Sequence, residues 1–91
     1  MEALNVVCRI EKQTKRPAIF YWNECKRTLT CYTREEQHSE ACYDYYRANT
    51  KPAKSEEDQA ACASLFAHYT AYSAKYSEEK LVLRKRLQRS A

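Results

Sequence analysis

The chain has no glycine at any of its 91 positions. That absence constrains the architecture more than any motif does. Tight turns and left-handed caps draw on glycine because it lacks a Cβ, and short β-hairpin turns need residues that accept positive φ. A glycine-free chain is therefore expected to avoid hairpin-rich β structure and to build from helices with few connections. Only Pro17 and Pro52 punctuate it. A chain of this length makes one small domain with a modest core.

The punctuation sets out three helical segments. Pro17 disfavours helix in the residue before it and suits the first turn of a helix after it. No breaker follows before Asn49, which predicts a first long helix over 18–48 with a mixed seam through Trp22, Cys25, Leu29, Tyr32, Tyr43 and Tyr46. Asn49-Thr50-Lys51-Pro52 stops it. Ser55 as N-cap, with Glu56, Glu57 and Asp58 in the first turn, restarts a helix, and the second long helix is predicted over 55–89. Its seam of Cys62, Leu65, Tyr69, Tyr72, Tyr76 and Leu83 has the three-and-four spacing of a face made for a partner helix until Glu79 interrupts it. Phe66 and Leu87 widen that stripe. Residues 2–13, with Leu4, Val7, Cys8 and Ile10 apolar, suit a short N-terminal helical segment, with a strand as the alternative. Two long helices on a short link pack antiparallel. The expected fold is thus all-α, an antiparallel helical hairpin of two long helices with a short N-terminal helical segment, as a single domain over 1–91.

The five cysteines can be placed on that hairpin. Cys31 and Cys42 would share one helix face but lie about 16 Å apart along the axis at ~1.5 Å per residue. Disulfide Cα atoms lie within ~7 Å, so these two cannot bond each other. Cys42 lies seven residues before Asn49 and Cys62 seven after Ser55, so a fold at Pro52 sets them opposite one another. On the same register Cys31 faces Tyr72. Around Pro17, Cys8 and Cys25 sit at matched heights. The alternative is a set of reduced cysteines buried as small core residues.

The pattern C-x10-C from Cys31 to Cys42, followed by Cys62 and then by Tyr72, resembles the coiled-coil-helix-coiled-coil-helix (CHCH, twin CX9C-like) family of the mitochondrial intermembrane space. The resemblance covers residues 31–72. It implies a disulfide-stapled hairpin in which Cys42 and Cys62 form the inner bridge and Tyr72 stands where a fourth cysteine would be. A Cys8–Cys25 bridge would be its companion. It also implies import without a presequence and a role as a structural subunit or assembly factor.

Enzyme chemistry finds no foothold in the sequence. There is no glycine for a phosphate loop and no nucleophile with a recognisable base. The acidic clusters at Glu35-Glu36 and Glu56-Glu57-Asp58 read as solvated helix faces. His38 and Cys42, four apart, come nearest to a metal pair, with Cys62 as a third ligand across the hairpin and His68 directed away. Without a C-x2-C pair no metal site is expected, nor any cofactor. No run of ~18 apolar residues could form a membrane span. The first residues carry Glu2 and Glu11 and lack serine, unlike a secretory signal or transit peptide, so the chain is expected to be used whole.

Charge points to a partner. The net charge is +4, yet the stretch 80–91, KLVLRKRLQRSA, carries five basic residues and no acid. Such a tail meets RNA, anionic lipid headgroups or an acidic protein surface, or else is a solvated last helical turn favoured by the helix dipole. Beyond Tyr76 the opposing helix runs out, so Tyr76, Leu81, Val82, Leu83 and Leu87, flanked by Arg84, Lys85, Arg86 and Arg89, are expected to contact other subunits. The expected function is a non-catalytic accessory subunit of a large mitochondrial complex, of the respiratory chain or ATP synthase, in the intermembrane space or on the inner membrane. The alternatives are a mitochondrial ribosomal protein of the matrix with its basic tail on RNA, and a cytosolic or cytoskeletal helical adaptor with reduced cysteines.

Overall fold

The computed structural model describes residues 3–23, 27–35, 37–76 and 80–87, with backbone alone at positions 37 and 76. It is a sheet protein. The elements run β1 (Ala3–Glu11), β2 (Pro17–Asn23), β3 (Thr28–Thr33), β4 (Gln37–Ala41), α1 (Tyr43–Asn49), β5 (Thr50–Pro52), α2 (Glu56–Tyr76) and β6 (Lys80–Arg84). The first four strands form an antiparallel meander, β5 returns antiparallel beside β1, and β6 lies parallel to β1. The five antiparallel strands curl into a half-barrel, and β6 adds to it beside β1.

The all-α helical hairpin is therefore corrected. The region expected to be one helix over 18–48 holds three strands and the seven-residue helix α1. Its strands are rich in aromatic and β-branched residues, PAIFYWN and TLTCYT, which suit a pleated, buried surface. Both faces of this part of the sheet are covered. Apolar residues consequently run on without alternating, and the period of two that marks a strand is hidden. For residues 2–13 the strand alternative is the one realised.

Turning without glycine is managed by other residues. In the β1–β2 connection Lys15 takes φ 64°, and its N–H donates to the Glu11 carbonyl at 2.9 Å. The Glu11 N–H donates to the Arg16 carbonyl at 2.9 Å, closing the turn, and the Lys12 N–H reaches the Asn49 carbonyl at 2.9 Å. Arg27, before β3, takes φ 55°. A residue with a Cβ costs ~1–2 kcal/mol in this region. Among the described residues the chain carries that cost at two charged positions, so lack of glycine does not exclude β-hairpins.

The second helix begins where the sequence indicated. The Asp58 N–H donates to Ser55 Oγ at 3.0 Å as an N-cap. It ends at Tyr76 instead of continuing to 89, and β6 occupies part of the remainder. The seam residues Cys62, Leu65, Tyr69 and Tyr72 face the sheet and not a partner helix. There Leu65 and Tyr69 meet Val6, Ile19 and Tyr32. Cys8, Tyr21 and Leu81 pack around that cluster. On the opposite face Val7, Ala18, Phe20, Leu29 and Cys31 are covered by Tyr46 of α1, with Trp22, Ala41 and Leu87 beside them. Phe20 meets Tyr46 edge-on at 5.2 Å. Successive residues of β1 and β2 thus feed two cores in alternation.

Candidate functional site

One edge of β1 receives two short strands placed end to end. β5 pairs with Arg9–Glu11 through Arg9↔Pro52, Ile10↔Lys51 and Glu11↔Thr50. β6 pairs with the preceding half, from Ala3↔Lys80 to Val7↔Arg84. Their C-terminal ends approach each other at Cys8, the one position of β1 between the two registers, and then separate. The separation opens a cleft of about 650 Å³ roofed by the first turns of α2. That is within the ~300–1,000 Å³ of small-ligand clefts.

Two thiols meet there. Cys8 on β1 faces α2, where Cys62 is its neighbour in the cleft lining, and the Cys8 thiol donates to the Arg9 carbonyl at 4.0 Å. Cys62 is buried at 5 % exposure, while Cys8 is half-buried, and both line the cleft. The neighbouring Cys62 thiol and burial push the Cys8 thiol up, above the usual thiol range. The neighbouring Cys8 thiol lowers Cys62, against the opposing effects of burial and of Asp58 one turn earlier. Of the two thiols, Cys62 is the more readily ionised.

The walls of the cleft are basic. Arg9, Lys54, Arg84 and Lys85 line it with the exposed Leu83. Arg9 is fixed: its Nε donates to Thr50 Oγ1 at 2.8 Å, a terminal nitrogen donates to the Thr50 carbonyl at 2.9 Å, and its guanidinium lies 4.6 Å over the Tyr46 ring. Thr50 Oγ1 in turn donates to the Tyr46 carbonyl. Arg84 Nε donates to Asn5 Oδ1 at 2.9 Å, which sets it on the side of the sheet away from α2. Lys54 and Lys85 are exposed at the mouth.

Two other clusters differ in character. A second cleft, of about 640 Å³, holds Cys31, Cys42, Glu11, Arg16 and Glu35. Its charges are satisfied locally, by an Arg16–Glu35 ion pair and by a Tyr45 hydroxyl donating to Glu11 Oε2 at 2.6 Å. Toward β4, Tyr32 stacks on Tyr69 at 4.0 Å and its hydroxyl lies 2.8 Å from His68 Nδ1. His38 Nε2 lies 3.2 Å from the Tyr69 hydroxyl, and burial holds its pKa below the ordinary value. Both histidines therefore serve an aromatic cluster, and among the described residues no group of three His, Cys, Asp or Glu could hold a metal ion.

The residues singled out from sequence scatter over this fold. Cys42 caps α1, where its sulfur accepts from the Tyr45 N–H at 3.4 Å, and lines the cleft on the face away from α2. Cys62 lies under α2, so the Cys42–Cys62 bridge is not made; Cys8, Cys42 and Cys62 are free thiols. Cys25, the expected partner of Cys8, lies outside the described residues, as do Arg89 and the Tyr76 side chain. Leu81 and Leu87, expected to meet other subunits, pack into the chain's own two cores. Val82 is half-buried opposite Asn5 in the β6 register. Leu83, Arg84 and Lys85 stay on the surface at the cleft, and Arg86 is exposed beside them. The Cys8–Cys62 contact was missed. Its signal was the strand alternative for residues 2–13, which puts Cys8 on the same face as Leu4 and Val6.

Comparison with family models, with curated proteins and with solved structures finds no significant match. The resemblance to the CHCH family is carried by three cysteines and a helix break, and the helical hairpin it implies is replaced by a sheet.

Proposed function

We propose that this chain is an accessory binding protein that takes up an acidic, extended segment of a partner protein along the outer edge of β6. The observation that carries this reading is the composition of that edge. Among the described residues β6 pairs only with β1, so its other side offers backbone donors and acceptors to an incoming strand. Leu83 is 42 % exposed on it, ready for an apolar side chain of the added strand. Lys80, Arg84 and Lys85 are exposed along it, with Lys54 across the cleft. The opposite edge strand, β4, reads QHSEA and offers neither a cationic run nor an exposed large apolar residue.

This keeps the accessory role expected from sequence and relocates the docking surface from a helix end to a sheet edge. The mitochondrial compartment and the named host complexes followed from the hairpin resemblance, and the sheet fold adds no support to them. RNA on the same cations is the competing reading. A fluorescent eight-residue peptide of alternating Glu and Leu, compared with an eight-residue oligouridine, separates the two. The peptide should bind, and Lys54→Glu with Lys85→Glu should weaken it by at least about tenfold at low salt and less at high salt. Tighter binding of the oligouridine, or a peptide affinity untouched by the two charge reversals, would overturn the proposal.

A further inference from the structure

The floor of the basic cleft carries chemistry that docking does not use. Cys8 and Cys62 come from elements far apart in sequence, yet they line one cleft at the point where β1 is left between β5 and β6. Cys8 is half-buried and Cys62 buried in the lining of this cleft, and Lys54, Arg84 and Lys85 line the same opening. Cys31 is buried on the opposite face of the sheet, and Cys42 opens onto the other cleft. The two meeting thiols form a unit.

We propose that Cys8 and Cys62 form a thiol–disulfide exchange site for a low-molecular-weight disulfide bearing carboxylates. The cations at the mouth would hold the carboxylates while the disulfide reaches the floor. Cys62 attacks as the thiolate. One sulfur of the substrate disulfide bonds to Cys62 and the other leaves as a thiolate. Cys8 then gives its proton to that leaving thiolate and attacks the Cys62 sulfur, expelling the second substrate half. In balance, two protein thiols are oxidised to one Cys8–Cys62 disulfide, and one substrate disulfide is reduced to two thiols. The product ties β1 to the first turns of α2, and excess free thiol reverses it.

The experiment uses the full reduced chain and glutathione disulfide as probe, without any docking partner, so its outcome is independent of the function proposed above. Intact mass should show the loss of two hydrogens, and peptide mapping should join Cys8 to Cys62. In Cys8→Ser the reaction should stop with glutathione attached to Cys62. Lys54→Ala with Lys85→Ala should slow reaction with glutathione disulfide about tenfold, as loss of electrostatic steering does, and leave the rate with uncharged hydroxyethyl disulfide unchanged. Mapping on the unmodified chain needs no variant to fold. Glutathione on Cys42 with Cys8 and Cys62 still reduced would overturn the proposal. So would equal slowing of the charged and uncharged disulfides in the double lysine variant.

Discussion

Tyr32 is the residue whose removal tests this packing most sharply. It is fully buried, stacks on Tyr69 with centroids 4.0 Å apart and planes 13° from parallel, and its hydroxyl lies 2.8 Å from His68 Nδ1. Tyr32→Phe keeps the ring and deletes only the hydrogen bond, for which the net loss is about 1 kcal/mol. Tyr32→Ala deletes the ring as well and should cost about 3–5 kcal/mol, as large aromatic truncations in cores do. A domain of this size loses about 4–8 °C of Tm per kcal/mol. The Phe variant should therefore melt about 4–8 °C lower. The Ala variant should melt at least about 12 °C lower, or not fold at all, against a total stability of about 5–15 kcal/mol. Thermal unfolding followed by circular dichroism reads both. A double-mutant cycle with Tyr69→Leu should return a coupling of about 0.5–1.5 kcal/mol for the stacked pair. If Tyr32→Ala melted within a few degrees of the parent, or the cycle gave no coupling, the sheet–helix core described above would be wrong.

Two further predictions test the turns and the histidines. Lys15→Gly should stabilise the protein by up to about 1.6 kcal/mol, because relief of the left-handed backbone, ~1–2 kcal/mol, offsets or exceeds the added unfolded-state entropy, ~0.4–1 kcal/mol; a lower Tm would contradict the turn. Burial holds His38 below its ordinary pKa of 6.5, so the unfolded chain takes up this proton at a higher pH than the folded one. The stability from neutral His38 is therefore present above pH 6.5 and lost as pH falls through the folded pKa. Chemical denaturation between pH 7.5 and pH 5 should show that decline, and His38→Gln should flatten it.

What could be read from the sequence was local. The stop at Asn49–Pro52, the Ser55 cap and the seam from Cys62 to Tyr72 follow from neighbouring residues, and the structure keeps all three. The sheet was hidden for a physical reason. Residues 18–22 and 29–32 contribute to two cores at once, so they present continuous apolar runs in which neither a helical nor a strand period stands out. Lys15 and Arg27 occupy the conformation usually reserved for glycine, so the usual marks of hairpin turns are missing. Leu83 continued the seam of α2 by spacing alone, although it belongs to a strand paired with β1. The symmetric placement of Cys42 and Cys62 about Pro52 suggested a contact. Cys62 meets Cys8 instead, through a strand–helix packing that no local pattern encodes.

The docking of an acidic strand on β6 is tested most directly by amide hydrogen exchange, residue by residue, with and without saturating Glu-Leu peptide. Backbone pairing on the outer edge should slow exchange at every second amide across Lys80–Arg84 and leave Gln37–Ala41 unchanged. Leu83→Asp should abolish that protection without altering the rest of the exchange pattern, because Leu83 is exposed and carries little of the fold. Protection that instead appeared along Gln37–Ala41, or no protection on either edge at saturation, would contradict the account.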